Sequence, residues 1–380
     1  MKITPQEILE VLSTVRYPGN GKSLTENQMV SDIHIDGEEV SLTLTFDKTT
    51  NPFVKSVVRM VETAIEQKFG KEIKIKDRIN VAFQSDPVKA SEAPREVLPG
   101  VKNIIGISSG KGGVGKSTVS ANVAIALAAR GYKVGLLDAD IFGPSMPRMF
   151  GVEDEPIYMI NRDGKDWIEP IEKYGVKMLS IGFLVDKENA VLWRGSMASN
   201  ALRQLISDAW WGDLDYFIID MPPGTSDIHL TLVQTLPITG VVVVTTPQEV
   251  ALADARKGVA MFKDEKINVP VLGIVENMSW FTPKSHPDEK YYIFGKGGGL
   301  ALAEKLGVKF LAQIPLVAGI CEDVDQGRPS ALAAQSLTGD TATQTEEALA
   351  FSLLADSIVE QCDERNRNLP PTQKVEVTKK

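Results

Sequence analysis

Residues 110–118 read Gly110-Lys111-Gly112-Gly113-Val114-Gly115-Lys116-Ser117-Thr118. The spacing G-x-x-x-x-G-K-[ST] is complete. An apolar run of strand length, 103–108, precedes it, and 117–130 follows as a helix closed by Gly131. Strand, glycine loop and helix are the context in which this pattern cradles phosphate. Glycines let successive backbone N–H groups wrap an anion, and the helix start adds partial positive charge. Gly110 to Thr118 are therefore the expected nucleotide contacts, every one of the nine. Lys116 is expected to reach the β and γ phosphates and Ser117 to ligate Mg²⁺.

Working outward, two acidic strand ends complete the expected site. Asp138-Ala139-Asp140 closes the run 132–137, and Asp220 closes 216–220 before Met221-Pro222-Pro223-Gly224-Thr225. Ligands of open α/β sheets collect beyond the carboxyl ends of the strands. Carboxylates placed there hold Mg²⁺ or position water, so Asp138 and Asp220 are read as metal ligands beside Ser117. Further strands are expected at 176–181, 240–245, 271–275 and 308–314, with helices between most of them. That alternation predicts a mostly parallel sheet covered on both faces.

The front of the chain reads differently. Residues 1–85 give the order α-β-β-α-β, with Asp36-Gly37 as a hairpin turn. Asn51-Pro52 opens a helix that Gly70 closes. Val54, Val57, Val58, Val61, Ala64 and Ile65 fall on one face of it. A linker carrying Pro87, Pro94 and Pro99 is expected over 86–100. The second domain spans 101–362, and the polar residues 363–380 are expected to be a disordered tail. The fold class is α/β, with a small α+β domain in front.

The chain has 380 residues and a formal net charge of −9, which disfavours nucleic acid and anionic lipid as partners. No apolar run approaches the ~18 residues of a membrane span. The first residues, Met1-Lys2-Ile3-Thr4-Pro5, contain no secretory apolar region. Two cysteines, Cys321 and Cys362, make no disulfide framework. A reducing cytoplasm is the expected compartment. Phe351, Leu354, Ala355, Ile358 and Cys362 share a helical face, so Cys362 is expected to be buried.

Lys111, inside the glycine loop, marks a resemblance to the deviant Walker A (MinD/ParA-like) ATPases among the P-loop NTPases. The resemblance implies that Lys111 crosses a nucleotide-sandwich homodimer to the other subunit's ATP. There it would act as an arginine finger does, worth about 10³–10⁵ in rate. A closer likeness is carried by Asp138-Ala139-Asp140-Ile141-Phe142-Gly143-Pro144-Ser145, Trp193-Arg194-Gly195, Asp220-Met221-Pro222-Pro223-Gly224-Thr225 and Glu276-Asn277-Met278-Ser279. These resemble the Mrp/ApbC group of ATP-dependent iron–sulfur cluster carriers, over about 95–335. Residues 1–85 resemble the SufT/PaaD-like domain fused in front of bacterial members.

The resemblance implies slow ATP hydrolysis with Mg²⁺ and transfer of clusters to apoprotein clients. Asp140 would place the attacking water, Asp220 would act on Mg²⁺ through water, and Asn277 would contact adenine. It assigns nothing to Trp193-Arg194-Gly195. The group's Cys-x-x-Cys after Asn-Met-Ser is replaced here by Trp280-Phe281-Thr282-Pro283-Lys284-Ser285-His286-Pro287, and its Cys-Pro helix start by Asn51-Pro52. Clusters favour thiolates, so no iron ligand is assigned; His286 and Cys321 stand alone. A positioning or partition ATPase and a nucleotide-switched scaffold are the alternatives. The first needs a basic surface element, whereas 346–360 carries Glu346, Glu347, Asp356 and Glu360 and no Lys or Arg.

Overall fold

The computed structural model describes residues 3–375 apart from 19, 38, 47–52, 71–72, 76–77, 84–96, 142, 185–194, 284, 287 and 336–344. The chain forms two units, Met1–Arg95 and Glu96–Lys380. The first contains α1 (Pro5–Thr14), β1 (Val30–Asp36), β2 (Glu39–Phe46), α2 (Val54–Phe69) and β3 (Ile79–Phe83). Thr4 and Glu7 form a capping box that starts α1. β1 pairs antiparallel and β3 parallel with β2. Strict alternation along β2 turns Val40, Leu42, Leu44 and Phe46 inward, where Val57, Val61 and Ile65 of α2 join the same core. Asn51 and Pro52 lie outside the described residues, as does most of the expected linker. The helix begins at Val54, and Gly70, with φ of 93°, closes it.

The second unit carries β4 (Val101–Ser109), α3 (Lys116–Ala129), β5 (Val134–Asp138), α4 (Met146–Met149), β6 (Met159–Arg162), β7 (Lys165–Ile168), β8 (Ile171–Lys173), β9 (Val176–Ser180), α5 (Gly195–Ser207), β10 (Leu214–Asp220), α6 (Asp227–Thr235), β11 (Gly240–Thr245), α7 (Glu249–Lys263), β12 (Val271–Glu276), α8 (Gly298–Leu306), β13 (Phe310–Gln313), α9 (Ala318–Asp325), α10 (Leu332–Gln335) and α11 (Glu346–Asn368). Eight strands form one sheet in the order β13-β12-β11-β4-β10-β5-β9-β8. All neighbours are parallel except the β8–β9 edge. β5 and β11 are buried at every position, as a parallel strand covered on both faces must be. The sheet is thus α/β and mostly parallel, as its sequence predicts.

α3 is buried at every position from Val119 to Leu127. It shares one core with Phe351, Leu354, Ala355, Ile358 and Cys362 of α11. Arg130 donates to Asp356 Oδ1 (2.6 Å) and to the carbonyl and hydroxyl of Ser352, tying the two helices. The expected tail after Cys362 needs correction. α11 continues to Asn368, and Asn366 Nδ2 donates to Asn103 Oδ1 at 2.8 Å. Beyond the helix, Val375 N donates to Val233 O at 3.0 Å. Tertiary hydrogen bonds outweigh the polar composition there. No described helix is long and apolar enough to cross a membrane.

Candidate functional site

The glycine loop leaves the carboxyl end of β4 and enters α3 through Gly115, whose φ of 81° is left-handed. A side chain at that angle is strained. It would also meet Asn277 Nδ2 at 2.1 Å. Asn277 donates this amide to the Val114 carbonyl (2.8 Å), and its own N–H donates to Thr245 O. The residue expected at adenine thus braces the loop from β12. Met278 beside it takes φ of 54°. On the other flank, a Cβ at Gly110 would lie 2.1 Å from the backbone of Asp254 in α7. Glycine is thus required at Gly110 by the backbone of α7 and at Gly115 by the left-handed φ beside the Asn277 side chain.

Beyond it lies a cleft of about 250 Å³ whose walls include Lys111, Lys116, Thr118, Asp140, Ser145 and Pro223. Its floor is a charged cluster. Lys116 Nζ lies 2.8 Å from Asp220 Oδ1 and 3.5 Å from Asp140 Oδ2, and donates to Ser117 Oγ at 3.1 Å. Ser117 Oγ donates to Asp220 Oδ2 at 2.6 Å, and Ser120 Oγ to Asp220 Oδ1 at 2.7 Å. Asp220 is fully buried. Buried charges persist only when paired and hydrogen-bonded, and here every carboxylate oxygen of Asp220 is. The β10–β4 register places Asp220 opposite Ile107, just below the loop. Lys111, half-buried on the rim, has no hydrogen bond or ion pair from its ammonium among the described residues; its carbonyl accepts from Ser109 Oγ.

Asp138, expected as a metal ligand, is fully buried and hydrogen-bonded within the fold. Oδ1 accepts from Asp140 N (3.2 Å), and Oδ2 accepts from Met146 N (3.1 Å) and Ser180 Oγ (2.9 Å). The carboxylate ties Asp140 and Met146 to β9; like Asp220, it lies behind the residues that line the cleft. Burial, with the Asp220 charge nearby, pushes its pKa well above the usual carboxylate range. Hard oxygen donors suited to Mg²⁺ are the Ser117 hydroxyl and the Asp220 carboxylate, and Mg²⁺ commonly takes one or two such groups plus phosphate.

Sequence reasoning missed His229, on α6 behind the Asp220 segment. It is buried, and its Nδ1 accepts from Ser226 N at 3.1 Å. Ser226 and His229 form a capping box with histidine in place of the usual Glu. The Ser-x-x-x spacing was visible; the histidine disguised it. Burial pushes the ring down to about 4.

The thiols are far from forming a cluster site. Burial pushes Cys362 up to about 12. Cys321 is exposed on α9, its Sγ 3.9 Å from Asp325 Oδ2. His286 is exposed and sits 3.8 Å from Glu289. Among the described residues no group of three or more His, Cys, Asp and Glu side chains is placed to hold a metal ion. Trp193 and Arg194 lie outside the described residues; Gly195 begins α5.

Comparison with known proteins agrees with this architecture. Residues 100–351 match the NUBPL iron-transfer P-loop NTPase family, and residues 5–76 match an iron–sulfur cluster assembly protein family. An iron–sulfur cluster carrier protein of Synechocystis sp. is 45% identical over 86% of this chain and 91% of its own length. One from Deinococcus radiodurans is 39% identical over 96% and 98%. A nucleotide-binding protein of Archaeoglobus fulgidus, solved in complex with ADP, is 38% identical with a TM-score of 0.53, covering 60% of this chain and 87% of that one. With its glycine loop, its acidic strand ends and an assembly domain in front, the chain belongs to the iron-transfer P-loop NTPase family of iron–sulfur cluster carriers.

Proposed function

We propose that the protein is an ATP-hydrolysing iron–sulfur cluster carrier that works as a homodimer, two copies closing over two nucleotides and serving apoprotein clients. The observation that carries the nucleotide chemistry is the Lys116–Asp220–Ser117 cluster under the glycine loop. Loop amides wrap the phosphates, and Lys116 moves from its carboxylate partners to the β and γ oxygens. Ser117 and Asp220 are the groups that would hold Mg²⁺, which would supply charge neutralisation on the phosphates. Asp140, 3.5 Å from Lys116 Nζ, orients the attacking water and takes its proton. Water oxygen bonds to the γ phosphorus in line as the β–γ bridging P–O bond breaks, and ADP leaves. Lys111 reaches across to the partner copy's nucleotide. Its freedom from partners among the described residues of its own chain supports that reading. Asp138 holds the Asp140 segment in place, and Asn277 holds the loop.

The cluster is cargo in this scheme. Support for it is family membership, set against the lack of cysteine in the segment 280–287. Lys116→Ala is expected to abolish turnover. Lys111→Ala is expected to keep most nucleotide binding and lose hydrolysis; hydrolysis at the parent rate would remove the cross-subunit role. Anaerobic reconstitution with iron and sulfide, followed by metal analysis and transfer to an apo-acceptor, tests the cargo. Neither bound iron nor transfer would leave an ATPase without the carrier function.

A further inference from the structure

A second cavity, of about 520 Å³, opens beside α4. Pro147 and Arg148 of that helix line it, whereas Met149 of the same turn lines the nucleotide cleft, and the two spaces have no lining residue in common. Its size falls within the roughly 300–1,000 Å³ of ligand pockets. Its walls are held before anything binds. Pro144 and Pro147 come from one side, and Gly182 and Phe183 from the residues after β9. Asp138 Oδ2 ties the two sides together, accepting from Met146 N (3.1 Å) and Ser180 Oγ (2.9 Å), and Ser180 Oγ accepts in turn from Gly182 N at 3.0 Å. Gly182 packs so closely that a Cβ there would lie 2.9 Å from Pro144. Walls fixed in advance lower the ordering cost of binding.

The lining chemistry selects the occupant. Pro144, Pro147, Pro156, Ile157 and Phe183 supply apolar surface. With them stand three carboxylates, Glu153, Asp154 and Glu155, and one cation, Arg148. Arg148 is already divided between Glu153 (3.8 Å) and Asp325 (3.9 Å), and Glu155 has no ion pair among the described residues. The surplus is negative, which repels nucleic acid and anionic lipid and attracts cationic partners. Among the described residues no three or more His, Cys, Asp and Glu side chains are placed to hold a metal ion, so the carboxylates do not converge on a point charge. Tyr158 and Met159, next along the chain from Ile157, are exposed. Apolar surface and spread negative charge together fit a polypeptide that carries its cations among apolar side chains. A polyamine brings the charge with little apolar volume to fill the cavity.

We propose that this cavity is a docking site for a partner protein, taking a segment in which lysine or arginine stands beside aliphatic or aromatic side chains. The proposal goes beyond the nucleotide chemistry and does not depend on it. Fluorescence anisotropy of a labelled (Lys-Leu)3 hexapeptide on the full chain tests it, with (Lys-Gly)3 and spermine as competitors. The leucine peptide is expected to bind, more weakly as salt rises, and to outbind both competitors by about tenfold or more. No binding of the leucine peptide, or equal binding of either competitor, would overturn the proposal. Glu153→Lys with Glu155→Lys reverses charge at exposed positions of the rim and is expected to cost about tenfold or more in affinity. Glu265→Lys with Glu304→Lys makes the same change of charge at exposed positions elsewhere and is expected to stay within about twofold. Equal losses in the two pairs would trace the binding to net charge and overturn the proposal. Carbodiimide coupling of the peptide's amines to the parent chain, read by mass spectrometry, locates the site without any substitution. Cross-links concentrated on Glu153, Asp154 and Glu155 are expected; cross-links scattered over other carboxylates would equally overturn the docking site.

Discussion

His229 has no net charge to hide, because its surroundings settle the question. Its ring is buried behind the Asp220 segment, its Nδ1 takes the Ser226 N–H, and its pKa is pushed down to about 4 by burial, with the Lys116 charge adding to the effect. In the unfolded chain the same ring titrates near 6.5. Between these two values the unfolded state binds a proton that the folded state refuses, so stability falls as pH drops from about 6.5 to about 4. The shift corresponds to about 3 kcal/mol. Asp138, with a raised pKa, acts in the opposite sense, since it stabilises the folded state more as acid rises. The total curve therefore masks both. His229→Gln, which keeps an acceptor for Ser226, isolates the histidine. The parent is expected to lose about 3 kcal/mol more than the variant between pH 7 and pH 4 in urea unfolding. A pH-independent difference would show that the ring is protonated in place. None of this was legible in the sequence, where His229 is one histidine in an apolar helix. Lys116 and Ser117 were legible because phosphate chemistry fixes their spacing in the loop, and Asp220 because it closes an apolar strand beside it. The hydrogen bonds of Asp138 and Asn277 were not, because a carboxylate or amide at a strand end can point into the cleft or back into the fold, and only packing decides.

At the scale of elements, two glycines of one loop have different reasons to be glycine. A Cβ at Gly110 would strike the backbone of α7 at 2.1 Å, and a helix backbone cannot turn aside as a side chain can. A Cβ at Gly112 meets nothing within 4 Å. Gly110→Ala is therefore expected to force the loop off α7, costing about 1–3 kcal/mol as overpacking does. Gly112→Ala is expected to stay within about 0.5 kcal/mol of the parent, as ordinary surface changes do. Thermal unfolding of the pair reads the contrast directly; equal losses would mean that α7 does not restrain the loop. The regular elements around the loop were legible because apolar runs and glycine stops mark them. The β6–β7 hairpin was not foreseen, although its signal was present. Asp163 and Gly164 take φ of 54° and 76°, the doubly left-handed turn that Asp-Gly favours. The flanking strands are four residues each and none of their residues is buried, so period-two patterning had little to register on. The extension of α11 was missed for the converse reason. Its last turns are polar, and what holds them is a contact with Asn103, 263 residues away in sequence.

The whole molecule divides where the chain's composition changes, and each unit closes its own core. Ile8, Leu12, Val40, Leu42, Val57 and Ile65 form a cluster within the first unit. The three clusters of the second unit draw on residues from Val97 onward. The matched families break in the same region, at 5–76 and 100–351. Every group assigned to nucleotide chemistry, from Gly110 to Asn277, belongs to the second unit. A single chain's sequence and fold display such a division readily. They do not display a partner copy, because the Lys111 ammonium gives its position but not its destination. A unit with its own core and its complete cleft is expected to fold alone. A chain beginning at Glu96 should therefore unfold in one cooperative transition by calorimetry. It should also bind Mg-ADP within about threefold of the full-length protein, a difference of less than 1 kcal/mol. Loss of the cooperative transition, or of nucleotide affinity in a well-folded fragment, would show that the front unit supports the cleft and that the two cores are not thermodynamically separate.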